Sequence, residues 1–268
     1  MTLRFATRRL ADTALLAMTA AVAMTLSIAA APAKPAAAAA PVKNIVLVHG
    51  AFADGSSWAP VAKILQAKGY NVTAVQNPLT SLADEVAATN RALALQNGPV
   101  ILVSHSWGGF AITEAGVDAK VVGLVYVASF APDVGETVAD LGKSYPPPPS
   151  FAAPIVDKQG FMTLSIDAFV QHFSHDLSPA ESRVLAATQG PINVAAFGSK
   201  VSAAAWKTKP AWYIVAKRDE AIAPDEERFF AKRMKAQTTE MNTSHVPMLS
   251  RPKDVVAVIE AAAHGAPH

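Results

Sequence analysis

The sequence predicts an α/β fold, a mostly parallel, doubly wound sheet with a small helical lid inserted into it. Three observations carry this. Short apolar runs rich in β-branched residues alternate with longer stretches of helical periodicity. Strands buried on both faces read as such runs, and their alternation with helices points to parallel pairing. One run ends abruptly in Ser106, with two glycines and an apolar helical pattern after it, which is a strand, a sharp turn and a helix. Finally, the segment from Asp133 to Lys209 breaks the alternation, as an insertion would.

Taken in order, the chain opens on a leader. Residues 1–13 carry Arg4, Arg8 and Arg9, residues 14–31 are uncharged and rich in Ala, Leu and Met, and Ala31-Pro32-Ala33 places small residues at −3 and −1 of a cleavage site. These are the parts of a secretory signal over residues 1–33. The run is long enough to span a bilayer, but its alanine content makes a weak anchor. The expected location is periplasmic or secreted, with no stable membrane association after signal cleavage. Residues 34–43, rich in Ala and Pro, read as a flexible lead-in, and residues 44–268 as one large domain.

Within that domain, strands are expected at 44–48, 71–75, 100–103, 121–127, 212–216 and 238–241. Helices are expected at 57–68, 82–95, 107–116, 224–234 and 252–263. The insertion, about 134–209, shows no convincing strand. It holds Pro146-Pro147-Pro148-Pro149 and helical patterns near 166–173 and 179–188. A lid over the C-terminal ends of the strands lies where ligands bind in open α/β sheets.

Charge and composition exclude several classes. The chain has 23 basic and 21 acidic residues; setting aside three arginines and one aspartate in the leader leaves 20 of each. No nucleic-acid footprint remains. The absence of cysteine rules out disulfides, thiolate metal sites and a cysteine nucleophile.

The chemistry centres on Ser104-His105-Ser106-Trp107-Gly108. This approximates the G-x-S-x-G nucleophile elbow, with Ser104 in place of the first glycine. A serine nucleophile needs a base, and the base an orienting carboxylate. Of seven histidines, His264 and His268 are C-terminal, His172 and His175 lie in the insertion, His105 is inside the elbow, and His49 follows the first strand. His245, between the last strand and the last helix, is the candidate base. Asp219, directly after the 212–216 strand, is the candidate acid, with Asp133 next and Glu220 and Asp225 behind. Oxyanion donors are expected from the backbone N–H of Trp107 and from the loop His49-Gly50-Ala51-Phe52, Ala51 first and Phe52 next. Phe52 and Met248 flank these loops, either as walls of an apolar substrate pocket or as core.

The chain resembles the α/β-hydrolase fold superfamily, and within it the cofactor-free esterases of the plant methylesterase and hydroxynitrile lyase type and their bacterial relatives. The resemblance rests on Val46-Leu47-Val48-His49-Gly50-Ala51, the elbow, Val127-Ala128-Ser129-Phe130-Ala131-Pro132, the Asp219 loop and Ser244-His245-Val246-Pro247-Met248-Leu249. It implies Ser106 as nucleophile, His245 as base, Asp219 as orienter and Ala51 and Trp107 as oxyanion donors. It further implies a small-molecule ester substrate, no cofactor and no metal. Hydroxynitrile lyases of this type carry a threonine after the first-strand histidine and a lysine after the catalytic one. Gly50 and Val246 stand there instead, which argues against lyase chemistry. The expected function is an exported serine hydrolase that cleaves a small carboxylic ester through an acyl-enzyme. The alternatives are lyase or perhydrolase chemistry on the same triad, or a receptor-like relative that binds a ligand with little turnover.

Overall fold

The computed structural model describes residues 40–268, so the leader over 1–33 and most of the lead-in over 34–43 lie outside the described residues. At the end of that lead-in the chain is already held. Val42 is buried and its N–H donates to the Ala263 carbonyl at 2.9 Å.

β1 (Asn44–Val48) leads through a 3-10 turn into α1 (Ala59–Ala67), β2 (Asn71–Val75) into α2 (Leu82–Ala94), and β3 (Val100–Ser106) into α3 (Gly108–Ala115). After β4 (Val121–Ser129) the insertion holds α4 (Val138–Gly142), β5 (Pro154–Val156), β6 (Phe161–Leu164), α5 (Ile166–Ala168) with a π turn (Phe169–Phe173), α6 (Pro179–Thr188) and β7 (Ile192–Asn193). β8 (Ala211–Ala216), α7 (Pro224–Arg233), β9 (Gln237–Met241), α8 (Pro247–Ser250) and α9 (Pro252–Gly265) follow.

The main sheet runs β2-β1-β3-β4-β8-β9, and every pairing is parallel. The inner strands β1, β3 and β8 are buried along their whole length, as continuous apolar runs require when helices cover both faces. The edge strands β2 and β9 are more polar and more exposed, which suits strands with one unpaired side. The chain leaves β1 toward β2 on one side and returns to β3 on the other. The order of strand addition therefore reverses between β1 and β3, and the crevice at their C-terminal ends is the expected place for a ligand. The loop after β1 and the turn after β3 both open there.

The insertion differs from expectation. It contains a three-stranded antiparallel sheet, β5-β6-β7, beside its helices. The three strands are only three, four and two residues long, and β5 is exposed throughout, so no apolar run marks them. Their turn is a local one, with Asp157 Oδ1 accepting from the N–H groups of Gln159 and Phe161 and Gly160 at φ +82°. The insertion lies over the sheet end as expected of a lid. Phe151 and Phe173 pack on Phe52, and Phe173 packs edge-on against His245 at 4.7 Å between ring centroids.

Close approach of α3 to the neighbouring strand ends demands glycine. A Cβ on Gly109 would lie 1.8 Å from the Phe130 carbonyl oxygen, whereas one on Gly142 would meet nothing within 4 Å. Gly109→Ala is therefore expected to lower Tm by at least about 5 °C or to prevent folding, and Gly142→Ala to leave Tm nearly unchanged. Thermal unfolding followed by circular dichroism checks both; equal Tm values would contradict the packing described.

Candidate active site

The turn after β3 is a strained elbow. Ser106 sits at φ +53°, in the left-handed region that L-residues avoid. Several contacts hold it there. The Phe130 N–H donates to the Ser106 carbonyl at 3.1 Å, and the Ser129 hydroxyl donates to the same oxygen at 2.8 Å. Gly50 leaves room on the other side, since a Cβ there would lie 2.6 Å from the Ser106 Cβ. The pairing of β3 with β4 slips at this point, from His105↔Val127 to Ser106↔Ser129, so Ala128 is an extra residue, at φ +43°. This bulge turns Ser129 toward the elbow.

Ser104 gains its explanation from the same network. Its hydroxyl lies 2.9 Å from that of Ser129. Because the Ser129 proton goes to the Ser106 carbonyl, Ser104 is the donor in this pair. The side chain that departs from the glycine pattern thus braces the hydroxyl that braces the elbow.

Around Ser106 the structure brings His245 and Asp219 together. His245 Nε2 lies 2.8 Å from Ser106 Oγ, and His245 Nδ1 lies 2.5 Å from Asp219 Oδ2. With Nδ1–H donating to the carboxylate, Nε2 is free to accept from the serine hydroxyl. The other Asp219 oxygen accepts from the N–H groups of Ala221 at 2.7 Å and Ile222 at 2.9 Å. The other acids are engaged elsewhere. Asp133 pairs with Lys207, Glu220 with His172, and exposed Asp225 with Arg228.

The backbone N–H groups of Ala51 and Trp107 enter no turn or ladder bond among the described residues. Phe52, at φ +59°, turns the chain sharply just after Ala51. His49 shapes this loop. Its Nε2 accepts from the Asn77 N–H at 2.9 Å, so Nδ1 carries the proton and donates to the Gly50 carbonyl at 2.8 Å.

Three supporting residues escape a motif-based reading. His105, on the opposite face of the strand from Ser106, donates from Nε2 to the His245 carbonyl at 2.7 Å. Asp176, in the insertion, accepts from the Ser244 N–H at 3.0 Å and from the Ser244 hydroxyl. Glu85 on α2 accepts from the Trp107 indole at 2.8 Å. Strand alternation alone could have signalled His105; the other two are long-range pairs without a local pattern.

Phe52 and Met248 are fully buried and border a space of only about 20 Å³, on the side of Phe169 and Phe173. The structure does not place them in the larger cavity beside the site, which holds about 440 Å³. That cavity is lined by Phe130, Val138, Phe151, Met162, Phe197 and Glu226, among others. None of Ser106, His245 and Asp219 lines it, but Ala221 on its wall donates to Asp219 Oδ1 and Phe197 on its wall packs on Trp107. The insertion supplies most of these residues, where sequence alone cannot register side chains against the sheet.

Burial sets the charge of the groups beneath the site. Glu85 is pushed up to about 8 by burial, against the opposing pull of the Trp107 indole. Glu226 is pushed up to about 7 by burial and the neighbouring Asp219 charge. Glu227, fully buried behind Asp219 with the Ala216 N–H on its Oε2 at 2.9 Å, is raised well above the usual carboxylate range by burial and Asp219. Burial lowers His49 and holds His105 well below the usual histidine range. Above pH 4.5 the folded chain keeps carboxyl protons that the unfolded chain has released, so these acids make stability fall as pH rises. The two histidines act in the opposite sense, mainly below about 6.5. Between pH 6.5 and 8 the unfolded histidines release their remaining protons and the acids dominate. Urea unfolding should show a loss on the order of 2 kcal/mol over that interval, and a smaller loss in Glu85→Gln. Stability that rises from pH 6.5 to 8 would contradict this charge assignment.

Comparison with known proteins agrees with the architecture. The alpha/beta hydrolase family model matches residues 45–258. Methylesterase 7 of Arabidopsis thaliana is 27% identical over 249 residues, spanning 81% of this chain and 95% of the relative. The carbendazim hydrolyzing esterase of Nocardioides sp. (strain SG-4G) is 29% identical over 215 residues, spanning 70% of this chain and 85% of that one. A crystal structure of a polyneuridine aldehyde esterase mutant superposes with a TM-score of 0.71 at 17% identity, covering 82% of this chain and 99% of its own. With the match extending from β1 to α9, the chain belongs to the alpha/beta hydrolase family.

Proposed function

We propose that this protein is an exported serine hydrolase that cleaves a small carboxylic ester through an acyl-enzyme. Ser106 is the nucleophile, His245 the general base and then acid, Asp219 its orienter, and the Ala51 and Trp107 N–H groups the oxyanion donors. The observation that carries this reading is the unbroken relay from Ser106 Oγ through both His245 nitrogens to Asp219 Oδ2. Relatives named methylesterase and carbendazim hydrolyzing esterase support ester cleavage as the reaction.

The chemistry follows from that relay. Ser106 Oγ bonds to the ester carbonyl carbon as its proton passes to His245 Nε2, and the carbonyl π electrons move onto oxygen. The resulting oxyanion is met by the two backbone N–H groups, each typically worth about 3 kcal/mol of transition-state stabilisation. Collapse breaks the bond to the alcohol oxygen, which takes the proton from Nε2 as it leaves. Water then enters, gives a proton to Nε2 and attacks the acyl carbon. The second collapse releases the acid and returns the proton to Ser106. Imidazolium formation beside Asp219 is favoured because the carboxylate already faces Nδ1–H and is held by two backbone donors.

Export rests on the three-part leader over residues 1–33. N-terminal sequencing of the mature protein from periplasm or medium should begin at Lys34; recovery only as full-length cytoplasmic chain would contradict export.

Turnover of p-nitrophenyl esters of increasing acyl length tests the reaction. Ser106→Ala should lower kcat/KM by about a thousandfold or more, and Asp219→Asn by a similar order. Undiminished turnover in Ser106→Ala would sink the assignment.

A further inference from the structure

The cavity beside the triad is apolar except at one point. Among the described residues that line it, Glu226 alone carries an ionisable side chain. Thr137, also on the wall, has its hydroxyl engaged in its own helix cap, donating to Asp140 Oδ2 at 2.8 Å and accepting from the Asp140 N–H at 3.2 Å. Glu226 is only 4% exposed, and its Oε1 is buried without a hydrogen-bond partner among the described residues. Its neighbour Glu227 shares the unpartnered Oε1 but has the Ala216 N–H on Oε2, whereas neither Glu226 oxygen has a hydrogen bond among the described residues, and Glu226 is the one that lines the cavity.

A buried acceptor left unpaired costs on the order of 1–3 kcal/mol. An apolar side chain would satisfy this wall and remove that cost, since the Glu226 N–H bond to Ala223 uses backbone alone. The unpaired carboxyl stands on the wall of the cavity, where a visiting donor completes it. We infer that Glu226 is a specificity-determining residue, and that the substrate arm entering this cavity is largely apolar and ends in an O–H or N–H donor that pairs with the Glu226 carboxyl. This rests on the hydrolase reading above. Size alone discriminates weakly in an apolar pocket, whereas a site built around a hydrogen bond penalises a ligand that leaves the buried acceptor unpaired. The aromatic and thioether walls contribute area, and Glu226 contributes the choice between arms of equal length.

The test compares p-nitrophenyl esters whose acyl chains end in a hydroxyl or in a methyl group, over a series of matched lengths. At the length that fits, wild type should favour the hydroxyl-ended ester in kcat/KM. Glu226→Leu should lower that preference about tenfold or more, and Glu226→Gln, which keeps an acceptor oxygen, should retain most of it. Calorimetric binding of the same ester pairs to Ser106→Ala gives a readout independent of turnover. It should show the same preference, lost in Ser106→Ala/Glu226→Leu. If no ester is turned over, the hydrolase reading fails, and the binding comparison still decides the role of Glu226. Equal preference in wild type and Glu226→Leu, in turnover or in binding, overturns the inference.

Discussion

The site depends on one strained residue, Ser106, held in the left-handed region at the end of β3. Such a conformation costs on the order of 1–3 kcal/mol and persists only where its surroundings over-determine it. Here they do. Two donors converge on the Ser106 carbonyl, a glycine on the β1 loop opens space at its Cβ, and another glycine lets α3 approach the Phe130 carbonyl. The bulge at Ala128 supplies one of those donors by turning Ser129. Sheet irregularity, glycine placement and hydroxyl network thus all serve the geometry that presents one oxygen to His245.

A second layer of contacts fixes the groups that meet that oxygen. His105 holds the His245 carbonyl from below, and Asp176 ties down Ser244 from the insertion. The insertion is therefore connected to the loop that carries His245 as well as packing on it. Glu85 pins the indole of Trp107, the residue whose backbone N–H is proposed as an oxyanion donor. Two of these supports, His105 and Glu85, are buried titratable groups whose neutral form desolvation favours.

Much of the fold was legible because the main strands are continuous apolar runs, and parallel sheets buried on both faces advertise themselves that way. Ser106 and Asp219 were legible as candidates because one ends and the other follows such a run, and His245 because it lies between the last strand and the last helix. The small sheet of the insertion was not, since its strands are too short and too exposed to carry a pattern. Phe52 and Met248 read equally as pocket or core, and in the fold they border the small space beside Phe169 and Phe173 and do not line the larger cavity. Ser104 looked like a defect in the motif; only the fold shows that its hydroxyl meets Ser129, a residue 25 positions away. Glu226 belongs to a helix with acidic residues in its first turn, Asp225, Glu226 and Glu227, an ordinary way to complement the helix dipole. Sequence gives no sign that one of them faces a cavity.

The proposed reaction requires Ser106 to be a nucleophile activated in place. Reaction with an organophosphate such as diethyl p-nitrophenyl phosphate, read by peptide mass spectrometry, tests it most directly. One equivalent of p-nitrophenol should be released, with a single diethylphosphoryl adduct on Ser106 that is absent from His245→Ala. No adduct, or an adduct on another residue while Ser106 stays unmodified, would contradict it.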